Sequence, residues 1–332
     1  MPIRTYLVTG GAGFIGSNIV ATLLASQEAR VVVCDRLRTS QTGKWLNLRD
    51  QAIADWVPPE SLWPWLEQNG DTLHTIIHMG AISSTTESDV DLILSNNFAL
   101  SRDLFKWCRR AGVRLIYASS AATYGAGELG FDDKQDLAHL TALRPLNPYG
   151  WSKALFDIYC AREADAGQEP PGWVGLKFFN VFGPNEAHKG SMKSVLAHIW
   201  PDLASGRPVK LFASDDPRYP DGGQMRDFVY VKHAAQCVAW LTQNRVPNGV
   251  YNFGTGKART FAELAESAFA ALDRPPKIEY IPAPDSLRGR YQYFTEARME
   301  RLRSLGWDQP PPSLEDAVKD YVQTHLRIGG AG

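Results

Sequence analysis

A short β-branched run from Ile3 to Thr9 ends directly in Gly10-Gly11-Ala12-Gly13-Phe14-Ile15-Gly16, and the next residues place Phe14, Ile15, Ile19, Val20, Leu23 and Leu24 at helical spacing. Strand, glycine turn and helix in immediate succession leave few folds open. The glycines permit a tight turn and a close approach of backbone to a pyrophosphate, with Gly16 letting the helix lie against the strand. Unpaired N–H groups at the helix start suit phosphate oxygens. Arg30 to Cys34 then supplies a second strand closed by Asp35, which completes a βαβ unit.

The alternation continues. Thr75 to His78 and Arg114 to Ala118 read as buried strands, Asp89 to Ala111 as a long helix, and Pro148 to Ala164 as a helix with Leu155, Ile158 and Tyr159 on its buried side. The pattern predicts an α/β fold, a doubly wound parallel sheet of Rossmann type whose ligands sit beyond the carboxyl ends of its strands. After Val174 to Asn180 the elements shorten, which predicts a second, smaller α/β substrate lobe. The dinucleotide-binding domain is expected over 1–180, rejoined by about 226–256 through Val250 to Phe253, with 181–225 and 257–327 forming the substrate domain.

Bulk properties narrow the partners. A chain of 332 residues, 44% hydrophobic and with a net charge of -1, can bury a large core but carries no global field that would recruit nucleic acid or an anionic membrane. Cys34, Cys108, Cys160 and Cys237 form no Cys-x-x-Cys pair and have no histidine at metal-ligand spacing, so no metal is expected and a reducing compartment suits them. No apolar run approaches the roughly 20 residues that span a bilayer, and the cytoplasm is the expected location.

Three segments leave strand ends: Gly10 to Gly16, Met79 to Thr86 and Ser119 to Gly125. Asp35, nineteen residues after Gly16, stands where a carboxylate accepts ribose hydroxyls and favours NAD; Arg36, Arg38 and Lys44 follow and could instead pair with the 2′-phosphate of NADP. Tyr149 and Lys153 lie one helical turn apart, so an ammonium beside the phenol favours its ionised form, and Ser119 or Ser120 can hydrogen-bond the same substrate oxygen. His188-Lys189-Gly190 offers a second proton-handling group, and Arg226 can grip a diphosphate.

Gly10 to Gly16, Ser119-Ser120-Ala121-Ala122-Thr123-Tyr124-Gly125 and Tyr149 to Lys153 resemble the extended short-chain dehydrogenase/reductase family, which acts largely on nucleotide sugars. Ala81 to Glu87, Phe179 to Met192, Arg226 to Val231 and Lys257 to Phe261 resemble, within it, the ADP-L-glycero-D-manno-heptose 6-epimerases of lipopolysaccharide core precursor synthesis. That resemblance implies an isomerase holding NADP, NAD being the alternative, which oxidises C6″ of ADP-D-glycero-D-manno-heptose to a transient ketone and re-reduces it from the opposite face. Tyr149 and Lys189 would be the two acid/base groups, supported by Lys153 and Ser119 or Ser120. Gly10, Gly13, Phe14, Ile15, Gly16, Asp35, Arg36, Lys44, Met79, Gly80, Ala81, Ile82, Ser83, Asn96, Lys153, Val181 and Lys189 would contact the cofactor. Asn180, Ser191, His198, Phe212, Ala213, Ser214, Asp215, Arg226 and Tyr291 would contact ADP-heptose. A homo-oligomer, a pentamer among the options, is implied as well. The alternatives are a 4-epimerase of the same family, which needs no second base, and a non-catalytic NADP-binding sensor, which would tolerate loss of Tyr149.

Overall fold

The computed structural model describes residues 3–26, 28–37, 43–284 and 292–327; Arg38 and Tyr291 lie outside the described residues. Its largest element is a seven-stranded sheet built from β1 (Arg4–Thr9), β2 (Ala29–Cys34), β3 (Asp55–Val57), β4 (Leu73–His78), β5 (Arg114–Ser120), β6 (Trp173–Phe178) and, far along the chain, β10 (Gly249–Phe253). The order is β10-β6-β5-β4-β1-β2-β3, and every pairing is parallel. This is the doubly wound arrangement, and the strand order reverses between β1 and β4.

Its strands read as near-continuous apolar runs because both faces are covered. Tyr6 and Val8 of β1 point into one core with Ile19, Ile77, Val174 and Tyr251, whereas Leu7 points into the other with Val32, Ile76, Leu115, Phe105 and Trp173. Helix Phe14–Leu24 and helix Val231–Gln243 cover the first face; helices Leu100–Ala111 and Pro148–Asp165 cover the second.

The expected long helix over Asp89 to Ala111 is interrupted. It starts as Val90–Ile93, opens into a π-helical turn over Leu94–Ala99 and resumes as Leu100–Ala111. A π turn is wider than an α turn and changes which side chains face inward. Here it brings Asn97 into full burial and leaves Asn96 half-buried.

A separate core gathers the smaller elements. Strands β7 (Asn180–Phe182), β9 (Met225–Tyr230) and β11 (Ala258–Thr260) form one small sheet, and β8 (Val209–Phe212) pairs with β12 (Ile278–Ile281) in another. Phe182, Leu196, Leu211, Phe228, Leu264, Phe269, Val318 and Tyr321 pack together between these strands and their helices. Thus β9 pairs with β7 and β11 rather than with the large sheet, to which the chain returns through helix Val231–Gln243 and β10 and again through Ala297, Met299, Leu302 and Trp307. No helix among the described residues is long and apolar enough to cross a membrane.

Asp227 ties the two parts together. Fully buried, its carboxylate accepts from the backbone N–H groups of Thr255 (2.7 Å), Gly256 (2.9 Å) and Ala297 (3.0 Å) and from the Thr255 hydroxyl (2.7 Å). An alanine there strands four donors away from water. Asp227→Ala is expected to lower the unfolding free energy by about 3 kcal/mol in urea denaturation, and a loss under about 1 kcal/mol would show that this knot holds nothing.

Candidate active site

All three segments flagged in the sequence leave the same edge of the sheet, because β5, β4 and β1 are adjacent and parallel. Gly10 turns with φ of 66°, and a Cβ built on it would lie 2.6 Å from the backbone nitrogen of Gly80. Only glycine allows the two loops to come so close. Gly13 caps helix Phe14–Leu24 without a side-chain hydrogen bond, and no acidic residue occupies its first turn, so the helix start is open to an anion.

The helix carrying Tyr149 is placed with similar economy. Asn147 caps it by accepting from Gly150 N–H at 2.8 Å, and Pro148 occupies its first position. A Cβ on Gly150 would meet the Ala122 carbonyl oxygen at 2.6 Å, so a larger residue would push the helix off the turn that follows β5. That contact sets Tyr149 beside Ser120, whose side chain hydrogen-bonds the phenol. Burial raises the Tyr149 pKa, and the Ser120 hydrogen bond works against that rise. Lys153, 4% exposed, donates to the Ala118 carbonyl at 2.8 Å, and its burial lowers its pKa to about 8.

Lys189, in the short helical segment Ala187–Met192, lines the same cavity as these groups. Its ammonium sits 5.2 Å from the centroid of the Phe14 ring, and burial lowers its pKa while Glu186 opposes the fall. Glu186 is itself buried and fixed, accepting from Ser194 N–H and Oγ at 2.6 Å each and from the Tyr321 hydroxyl at 2.9 Å. His188 lies 3.3 Å from Asn47, which also donates to the Ala12 carbonyl at 2.9 Å. Burial, with Lys44 and Lys189 nearby, pushes the His188 pKa down to about 4.

A cavity of about 770 Å³ joins these groups. Gly10, Gly13, Phe14, Ile15, Gly16, Asp35, Lys44, Met79 to Ser83, Ser119, Ser120, Tyr149, Lys153, Val181 and Lys189 line it, as do Ala118, Phe178, Phe179, His188 and Met192, which the sequence analysis did not select. Phe178 and Phe179 carried a signal in their position at the end of β6; His188 had one in its neighbour Lys189.

Several expected residues are elsewhere. Arg36 is exposed and ion-paired with Glu60 at 3.2 Å, while Asn96 donates to the Leu92 carbonyl of its own helix at 2.8 Å. Asn97 faces the 79–83 loop instead, accepting from Ile82 N–H at 2.8 Å and donating to Ile82 O at 2.9 Å. Ser119 turns its hydroxyl to Asp157 Oδ2 at 2.7 Å, which leaves Ser120 as the serine beside Tyr149. None of Asn180, Ser191, His198, Phe212, Ala213, Ser214, Asp215 and Arg226 lines the cavity. They belong to β7, β8, β9 and the adjoining segments of the smaller part; His198 Nε2 bonds Ser191 O at 3.0 Å, and Arg226 donates to Met225 O at 2.9 Å beneath the Phe261 ring.

A model of the NAD dependent epimerase/dehydratase family matches residues 6–254. The chain belongs to that family. Among epimerase/dehydratase family members, an ADP-L-glycero-D-manno-heptose-6-epimerase of Nitratidesulfovibrio vulgaris is 47% identical over 324 residues, covering 97% of this chain and 98% of that protein. One of the same name from Fusobacterium nucleatum is 43% identical over 328 residues, covering 96% and 97%. The crystal structure of the Helicobacter pylori ADP-L-glycero-D-manno-heptose-6-epimerase superposes with a TM-score of 0.77 at 28% identity, covering 98% of this chain and 96% of that one.

In this epimerase/dehydratase family chain a buried relay braces the loop after β4. Ser101 donates to Asn97 O at 2.6 Å, so it accepts from His78 Nε2 at 2.8 Å; His78 Nδ1 then accepts from the Thr9 hydroxyl at 2.6 Å. Thr9 in turn accepts from Gly80 N–H at 3.3 Å. Burial, with Lys153 close by, pushes the His78 pKa to about 3, so it stays neutral in the folded state while the unfolded chain binds a proton below about pH 6.5. Stability is therefore lost as pH falls through that window. Replacing His78 by Gln should make the fall in unfolding free energy between pH 6 and 4.5 shallower by up to about 1.4 kcal/mol per pH unit; an unchanged slope would mean that the folded histidine is charged.

Proposed function

We propose that this chain is an isomerase that inverts C6″ of ADP-D-glycero-D-manno-heptose, giving ADP-L-glycero-D-manno-heptose through a transient C6″ ketone. One observation carries the reading beyond the family: Lys189, from the segment after β7 and beside the Phe14 ring, lines the same cavity as Tyr149, Lys153 and Ser120, which stand on other elements. Inversion requires proton exchange with one oxygen in two orientations, and two separated groups supply it. The names of the relatives at 43% and 47% identity support the same substrate.

The residues fit a dinucleotide. The glycine turn leaves no room for a Cβ, the helix start is uncapped by side chains, and Asp35 and Lys44 close one end of the cavity. A nicotinamide held there by the glycine turn, Asp35 and Lys44 would supply hydride transfer from and back to C6″. Tyr149 accepts the C6″ hydroxyl proton, with the Lys153 ammonium favouring its phenolate and Ser120 orienting the same oxygen. After rotation about C5–C6, Lys189 serves the oxygen on the second face. Burial lowers its pKa, the direction that eases release of its proton.

For the cofactor the reading is NADP. Lys44 Nζ sits 2.5 Å from Asp35 Oδ1, so the carboxylate's charge is balanced, and the Lys44 ammonium at the cavity is the group that would hold a 2′-phosphate. Lys44→Ala should weaken NADP binding about tenfold and leave NAD nearly unchanged, as measured by calorimetric titration; an equal effect on both would argue against the 2′-phosphate contact.

The decisive assay follows configuration at C6″ by NMR after mixing purified protein with ADP-D-glycero-D-manno-heptose. Tyr149→Phe and Lys189→Ala should each lower turnover by about 10²-fold or more while substrate still binds. Near-normal C6″ inversion by Lys189→Ala would remove Lys189 from the mechanism, and no C6″ inversion by the unaltered protein would favour the single-base 4-epimerase.

A further inference from the structure

Behind the candidate active site lies an ion pair that touches no part of the cavity. Lys177 of β6 and Asp157, four residues beyond Lys153 on its helix, are 1% and 0% exposed and stand 2.6 Å apart. Asp157 Oδ1 also accepts from the Tyr117 hydroxyl at 2.9 Å, and Oδ2 accepts from Ser119 at 2.7 Å. The Lys177 ammonium donates to Thr123 Oγ1 at 2.6 Å and rests 5.0 Å from the Tyr124 ring centroid. Thr123 in turn donates to the Ser120 carbonyl at 2.9 Å.

Every active-site group on this side is thereby held through a neighbour. Tyr117 and Ser119 alternate along β5 and clamp the Ala118 carbonyl between them, the oxygen that receives Lys153. Thr123 fixes the backbone of Ser120, the serine beside Tyr149. A fully buried ion pair is a poor device for stability alone, because apolar residues of equal volume often do as well or better.

We propose that Asp157 and Lys177 are positioning residues for the proton-handling groups, holding Ala118 and Ser120 in place and balancing a buried carboxylate whose charge would otherwise oppose ionisation of Tyr149. The proposal rests on Tyr149 acting as the base. Charge reaches the site from a single direction: the groups facing Asp157 are Lys177, Tyr117 and Ser119 from the sheet and Cys160, Lys153 and Tyr149 from its own helix, with Tyr124 behind Lys177. The Asp157 charge raises the pKa of both Lys153 and Tyr149, so neutralising it lowers both.

The test is the pH profile of kcat for ADP-heptose epimerisation, with Tyr149→Phe run beside it. Asp157→Asn should move the limbs set by Tyr149 and Lys153 down by about one pH unit, and Lys177→Met should move them up by a similar amount, while a limb set by Lys189 stays in place. Opposite shifts are a signature that loss of packing does not produce. Tyr149 and Lys153 limbs that stay in place, or move together in the two variants, overturn the proposal. Should only one variant fold, its limb alone decides. Should neither fold, the double variant Asp157→Asn/Lys177→Gln, which leaves no unpaired charge, should keep wild-type limbs with kcat lowered about tenfold by the loosened Lys153; wild-type kcat there overturns it. Turnover that survives Tyr149→Phe overturns the reading of Tyr149 itself, whereas an inactive Tyr149→Phe with unmoved limbs removes only the present inference.

Discussion

Gly10 approaches Gly80 so closely that no side chain fits between them, and the rest of the active site hangs on that contact. The turns after β1 and β4 belong to neighbouring strands on either side of the point where strand order reverses, so the sheet must open a crevice there. Backbone lines the crevice floor. The Thr9–His78–Ser101–Asn97 relay locks the far loop to the same strands, and Ser152 extends it, accepting from Asn97 at 3.1 Å and donating to the Tyr149 carbonyl at 2.7 Å. A hydrogen-bonded path therefore runs from Thr9, just before the glycine turn, to the backbone of Tyr149.

Burial of cations is the second governing feature. Lys153 and Lys189 each give up hydration to stand at the cavity, and each loses part of its proton affinity in consequence. Each is tempered by a carboxylate that does not enter the cavity, Asp157 for one and Glu186 for the other. The site therefore has two walls of similar design, one on the helix Pro148–Asp165 and one on the segment after β7. Two such groups on separate elements around one cavity give the epimerase reading its physical content.

Sequence reasoning reached the main wall but not the substrate wall. Tyr149, Lys153 and the glycine turn were legible because helical spacing and strand-end position are local properties. The π turn at Leu94–Ala99 was not, since nothing in that run announces an extra residue per turn, and the choice between Asn96 and Asn97 turned on it. Ser119 and Ser120 were indistinguishable by position; the alternation of β5 sends Ser119 to the buried Asp157 and leaves Ser120 for the phenol. The residues of β7, β8 and β9 expected around the nucleotide sugar stand off the cavity that the glycine turn and Lys189 enclose.

By itself the sequence determined the doubly wound sheet, the dinucleotide turn and the pairing of a phenol with an ammonium, because each is written in residues less than a few turns apart. Only tertiary structure decided that Lys189 lines the same cavity as Tyr149, that Asp157 meets Lys177 across 20 positions of chain, and that β10 closes a sheet begun at Arg4. Those juxtapositions depend on how distant segments share a core. No local pattern encodes them, since they come from burying two faces of one sheet together with the lobe beside it.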